Sequence, residues 1–379
     1  MRYSRIPFRR CVIAAMLTLP IRTFTAAAQT LPPVDSAVHA FMTQYHVPGM
    51  SIAVTHHGKL VYARGYGYAD TLQQTPVTVN SLFRIASVSK PITATAILKL
   101  VEAKKLSLDD TVFGKNGVLG TTYGQPPYPE NLRKITIRQL LQHTAGGWTN
   151  NGTDPMFSHP QMTASALISW TITHQPLENT PGAVYAYSNF GYCVLGRVIE
   201  KVSGMSYEAY VKKAVLQPCN ITNMQIGGNT LAQRKSNEVI YYGQHGEQPY
   251  IYNISRMDAH GGWIASAKDL ANLLIHVDGF PAPADILTNV SVTAMTTGST
   301  ANPGYALGWA VNPYHNWWHS GSLPGTASEI IRSHHGFTWV MLCNTRTDNS
   351  FFNDLDGLLW KAVNDPKTPW PNTDLLTAH

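Results

Sequence analysis

Two short runs rich in apolar and β-branched residues, Met50-Ser51-Ile52-Ala53-Val54-Thr55 and Leu60-Val61-Tyr62-Ala63, flank the polar break His56-His57-Gly58-Lys59. A glycine in so short a break predicts a β-hairpin over 47–65. From about 81 to 275 the apolar positions recur at helical spacing, which predicts helices over 136–143, 163–173, 191–203 and 267–276. Ser266 and Asp269 read as a capping box for the last of these. Strand signals return in 316–320, 328–332 and 337–342, the last two joined by Ser333-His334-His335-Gly336, and a closing helix fits 352–363. One helical stretch differs from the others. It starts near Ser87-Val88-Ser89-Lys90-Pro91 and continues through Val101 with apolar residues on most sides, as a buried helix does.

Two strands at the start and three at the end, around a long helical middle, predict an α/β (α+β) fold with one antiparallel sheet built from both chain ends and flanked by helices. The expected organisation is a sheet lobe over about 34–80 and 300–379 and a mostly helical lobe over about 81–299. A cleft is expected where the two meet, a common place for a ligand site. No internal repeat and no low-complexity linker interrupts the pattern.

Composition changes this picture at the N-terminus. Arg2, Arg5, Arg9 and Arg10 precede the apolar run from Cys11 to Leu19, and Thr25-Ala26-Ala27-Ala28 offers a small-residue cleavage site. Residues 1–28 thus read as a secretion signal, and 29–379 as a secreted or periplasmic protein. The apolar run is far below the ~20 residues that span a bilayer, so no stable membrane span is expected. Five of the 28 basic residues and none of the 22 acidic ones lie in that segment. The remainder carries 23 basic against 22 acidic side chains, a formal balance of +1 in place of +6. No basic-patch argument for nucleic acid survives. Cys193, Cys219 and Cys343 remain, an odd count that makes no disulfide framework.

Ser87 and Lys90 stand three residues apart and therefore share a helical face. A helix-capping serine followed by a surface lysine gives the same spacing, but the apolar surroundings of Lys90 require it to be paired, neutralised or beside a cleft. A serine becomes a nucleophile beside a proton acceptor, and a desolvated lysine is one. About 100 residues on, Tyr187-Ser188-Asn189 supplies a Tyr-x-Asn, and Trp318-His319-Ser320-Gly321-Ser322 supplies a His-x-Gly on an expected strand. Other copies of these short patterns exist, at Tyr314–Asn316 and at His56, His260 and His334, but ordered spacing selects 187–189 and 319–321.

In this order the three motifs resemble the serine β-lactamase and penicillin-binding-protein superfamily, most closely its class C β-lactamase, DD-carboxypeptidase and family VIII esterase branch. Further segments share the likeness, among them Leu140-Leu141-Gln142-His143-Thr144-Ala145-Gly146 and Gly304-Tyr305-Ala306-Leu307-Gly308-Trp309, so it spans about 34–362. The resemblance implies a β-lactamase/transpeptidase-like fold and a Ser87 acyl-enzyme, with Lys90 and Tyr187 sharing the proton traffic; which is the base at each step stays open. It implies that Asn189 orients Lys90 and the substrate, that the backbone N–H groups of Ser87 and Ser322 form the oxyanion hole, and that Gly321 lets the strand edge approach the substrate. His319 stands where penicillin-recognising members mostly carry a permanently charged lysine, and a free imidazole is largely neutral at pH 7. The strand where family carboxypeptidases often add an arginine has none here, leaving Arg256 and Arg332 as the nearest candidates.

The expected activity is therefore hydrolysis of small esters, amides or short peptides, with Trp263, Trp309, Trp317 and Trp318 suited to an apolar group. A D-Ala-D-Ala carboxypeptidase, D-aminopeptidase or weak class C-type β-lactamase is the alternative, and a non-catalytic penicillin- or peptidoglycan-binding sensor a further one. No cofactor is expected. The 15 histidines include no His-Glu-x-x-His, so no metal site is expected either.

Overall fold

The computed structural model describes Met1, residues 30–150 and residues 154–377. The expected signal segment, with Cys11, lies outside the described residues apart from Met1. Strands β1 (Gly49–His56) and β2 (Lys59–Asp70) form the expected hairpin, and His57 and Gly58 turn it with φ of 48° and 75°. Positive φ at both central residues is the turn whose twist matches that of paired strands. Then come β3 (Thr75–Pro76), three short strands β4 (Phe83–Arg84), β5 (Gln225–Ile226) and β6 (Trp263–Ala265), and finally β7 (Ala310–Val311), β8 (Trp317–Leu323), β9 (Thr326–Arg332) and β10 (Phe337–Cys343). The main sheet has seven strands in the order β3-β2-β1-β10-β9-β8-β7, every neighbour antiparallel. Both chain ends meet where β1 pairs β10, as the sequence predicts.

Both faces of the sheet are covered, which explains why Trp339-Val340-Met341-Leu342-Cys343 is a continuous apolar run and not an alternating one. Met50, Ile52, Val54, Trp339 and Met341 pack under the helices Pro32–Gln44 and Asn349–Gly357. Ala53, Val340 and Leu342 face the other way, into the core shared with the helices Ser89–Glu102 and Ala267–Leu274. Ser266 caps the latter by accepting the Asp269 N–H at 3.0 Å. The expected closing helix is two short ones, Asn349–Gly357 and Trp360–Asn364, broken beside Gly357, a weak helix former. The helix expected over 136–143 stops at Leu141, because His143 takes a φ of 57° that no right-handed helix continues. The three cysteines are buried and unbridged. Among the described residues no helix is long and apolar enough to cross a membrane.

Candidate active site

Ser87 lies in the tight turn Ala86–Val88 that leads into the helix Ser89–Glu102. The turn is held from three sides. Arg84, buried beneath it, donates to the carbonyls of Pro249 at 2.6 Å and Gly228 at 3.0 Å, with its guanidinium 4.5 Å from the Tyr241 ring. The hydroxyls of Thr326 and Ser328 on β9 donate to the carbonyls of Arg84 and Ile85 at 2.9 and 2.7 Å. The Ile85 N–H donates to Trp263 O on β6 at 3.0 Å. Within this frame Ala86 adopts a φ of 45°, a left-handed conformation that an alanine keeps only where its surroundings over-determine it.

Gly321 is required by the packing of the site itself. A Cβ there would collide with the Ile85 carbonyl oxygen and the Ser328 hydroxyl and stand 3.1 Å from the Ser87 nitrogen. The missing side chain lets β8 approach the Ser87 turn itself, which brings the backbone of Ser87 alongside that of the Gly321–Ser322 strand.

Lys90 is fully buried. Its Nζ lies 2.9 Å from Ser87 Oγ, 2.8 Å from Asn189 Oδ1 and 3.2 Å from the His260 carbonyl oxygen. Burial pushes its pKa well below that of a free lysine, against the pull of the Asp154 charge. The Tyr187 ring centroid lies 4.7 Å from Lys90 Nζ, and burial pushes its phenol pKa upward against the opposing influence of the Ser87 hydroxyl. Asn189 opens the helix Asn189–Ser203, and its Nδ2 donates to Asp154 Oδ2 at 2.7 Å, which fixes the amide with its oxygen toward Lys90. The structure thus brings Ser87, Lys90, Tyr187 and Asn189 together from two helix starts, with Ser322 on the facing strand.

His319 is on the expected strand, but both ring nitrogens are committed inside the protein. Nδ1 lies 2.7 Å from Ser320 O, which can only accept, so Nδ1 carries the hydrogen. Nε2 then accepts from the Tyr305 hydroxyl at 3.0 Å. That hydroxyl lies 3.2 Å from His143 Nε2, whose Nδ1 accepts the Ser188 N–H at 3.1 Å. The result is a one-way chain of neutral groups behind Tyr187, which lies 4.1 Å from the His143 ring centroid to centroid. Burial, with the nearby Lys90 charge, pushes His319 down to about 3.

The cleft beside Ser87 encloses about 310 Å³. Phe157, Tyr252, Met257 and Leu323 form its apolar wall, and Ser87, Asn189, Ser322 and Arg346 its polar side. The four tryptophans expected to serve an apolar group do not line it. Trp263 and Trp309 are core residues, Trp317 stacks on Arg332, and Trp318 packs on the far side of the sheet. The two candidate arginines are elsewhere too. Arg256 is spent on the carbonyls of Met156, His159 and Met162, and Arg332 lies between the rings of Phe280 and Trp317. Tyr314, the competing Tyr-x-Asn tyrosine, is 71% exposed. Among the described residues no group of three or more His, Cys, Asp or Glu could hold a metal ion.

Sequence reasoning missed four contributors: Asp154, the His260 carbonyl, the His143–Tyr305 pair and Arg346. Asp154-Pro155 does carry a helix-start signature, and Asp154 caps the short helix Pro155–Ser158 by accepting the Met156 N–H. Nothing local announces its contact with Asn189.

A family model described as Beta-lactamase matches residues 34–364. Protein flp of Staphylococcus aureus is 27% identical over 304 residues, covering 79% of this chain and 59% of its own length. A penicillin-binding protein of Bacillus subtilis is 27% identical over 321 residues, covering 78% of this chain and 67% of its own. The chain thus spans about three fifths to two thirds of these longer relatives. The octameric penicillin-binding protein homologue from Pyrococcus abyssi superposes with a TM-score of 0.71 at 26% identity, covering 88% of this chain and 78% of that one. With a match that runs from the first helix to the last, over the β-lactamase/transpeptidase-like architecture described above, this chain belongs to the Beta-lactamase family.

Proposed function

We propose that this protein is a serine hydrolase that opens uncharged esters or amides through an acyl-enzyme on Ser87. The observation that carries the reading is the bonding of Lys90. A neutral amine has two N–H groups and one lone pair. Asn189 Oδ1 and His260 O take the two N–H groups, which turns the lone pair toward Ser87 Oγ at 2.9 Å. Burial favours that neutral state, so Lys90 is the base of the acylation step and Tyr187, a neutral phenol, the proton donor.

Ser87 Oγ attacks the carbonyl carbon as its proton passes to Lys90. The negative oxygen that develops is met by the backbone N–H groups of Ser87 and Ser322; losing one such donor typically costs ~3–4 kcal/mol. The leaving oxygen or nitrogen takes its proton from the Tyr187 hydroxyl, which is restored through Lys90, and water then releases the acyl group by the reverse sequence. Asn189, held by Asp154, positions the amine. The neutral, internally bonded His319 offers no cation to a substrate carboxylate, which favours esters and simple amides over a D-Ala-D-Ala carboxypeptidase or β-lactamase activity. The arginine-rich, apolar start of the sequence supports export to the periplasm or medium.

The test is labelling by a fluorophosphonate probe, with p-nitrophenyl butyrate turnover as the rate. Ser87→Ala is expected to lose both, and Tyr187→Phe to turn over ester at least ~100-fold more slowly. Labelling that persists in Ser87→Ala would overturn the nucleophile.

A further inference from the structure

Arg346 follows β10 and reaches the cleft at the Ser322 end, where it is the ionised side chain among the described lining residues. Arginine recognises a carboxylate through two parallel N–H groups on one edge of the guanidinium. Here the Nε–Nη2 edge is taken by a carboxylate, and one N–H of Nη1 by a hydroxyl. Nε donates to Glu247 at 2.9 and 3.2 Å, Nη2 donates to the same carboxylate, and Nη1 donates to Ser322 Oγ at 2.6 Å. The pair is half-buried, with side-chain exposures of 23% and 29%. Glu247 belongs to the segment whose Pro249 carbonyl anchors Arg84 under the Ser87 turn, so its backbone is tied to the frame of the site.

We infer that Glu247 sets the charge preference of the cleft: by occupying the carboxylate-binding edge of Arg346 it makes the Ser322 end neutral, and substrates that place a carboxylate there are rejected. An anionic group arriving beside Ser322 finds the Nε–Nη2 edge filled and one Nη1 N–H spent on Ser322, and it meets the charge of Glu247. Specificity here comes from a built-in repulsive element as much as from attraction. The inference rests on the hydrolase reading for its substrates, but its chemistry concerns binding and can be read without turnover.

The experiment compares matched neutral and carboxylate-bearing p-nitrophenyl and carboxyphenyl esters, with the carboxylate on the acyl or on the leaving side. Glu247→Gln is expected to raise the acid-to-neutral ratio of kcat/KM roughly tenfold for one of the two placements. The gain should vanish in Glu247→Gln/Arg346→Gln, as expected if the two side chains act as a coupled pair. It should be absent in Glu208→Gln, which removes a remote carboxylate paired with Lys212. In parallel, benzoylglycine and benzoylglycinamide are titrated into Ser87→Ala and Ser87→Ala/Glu247→Gln by calorimetry, where only the acid should gain affinity. An ester-inactive wild type would defeat the hydrolase proposal and leave the titration to decide this one. Acid and neutral ligands responding alike to Glu247→Gln in both experiments, or an equal gain in Glu208→Gln, would overturn it.

Discussion

Lys90 shows how far burial moves a single group. A free lysine titrates near 10.4, yet this one is fully enclosed, and burial disfavours its charged form. In the mechanism proposed the active form is the neutral amine, so activity is expected to be lost as pH falls through the lowered pKa of Lys90 and to be full above it. The kcat/KM profile for a neutral ester is expected to reach its plateau well below pH 10.4, with no inflection from His319, whose ring is neutral above about 3. A log kcat/KM still climbing between about pH 9 and 10.4 would contradict the assignment. At this scale the serine–lysine spacing was legible, because it depends on one helical turn. The internal bonding that holds His319 neutral was not, because the groups that use up its two nitrogens are Tyr305 on another segment and its neighbour's carbonyl.

Among the elements, the contact of β8 with the Ser87 turn is the most demanding. Gly321 lies against Ile85 O and Ser328 Oγ with no space for a Cβ. Neither neighbour can yield cheaply, since Ser328 is itself bonded to the Ile85 carbonyl at 2.7 Å. Gly321→Ala is therefore expected to cost about 1–3 kcal/mol of stability. It should also slow fluorophosphonate labelling of the folded enzyme, because the backbones of Ser87 and Ser322, the proposed oxyanion donors, are pushed apart. Thermal melting and labelling rate together check this, and a variant with wild-type values of both would remove the role. The strands β1, β8, β9 and β10 were visible in the sequence to within a few residues, whereas β3 to β7, of two or three residues each, left no signal of their own. β8 runs on to Leu323 where the signal ends at Ser320, because its last residues are fixed by pairing with Ala327 and Thr326 and not by their own propensity.

The whole molecule is closed by its two ends. Phe351 in the helix Asn349–Gly357 packs against Phe41 and Tyr45 of the first described helix, with ring centroids 5.1 and 5.3 Å apart, over the β1–β10 seam. Phe351→Ala is expected to lower unfolding stability by about 3–5 kcal/mol. The Ser87 cleft lies across the sheet from this cluster, so folded protein should label with fluorophosphonate at the wild-type rate. Denaturant titration and labelling kinetics test the pair of expectations; a loss under about 1 kcal/mol would mean the ends are not the clamp described.

The sequence alone determined the five long strands, the sheet shared by both ends, and the serine, lysine, tyrosine and asparagine that converge. Hydrophobic period, turn glycines and motif spacing are local signals, written within a few residues of one another. Only the tertiary structure decided the electrical character of the site. Whether Lys90 is charged, whether His319 can greet an anion, and whether Arg346 is open or occupied by Glu247 depend on partners about 14 to 170 residues away. Burial and partner geometry set the energy of a charge, and neither is encoded near the residue that carries it.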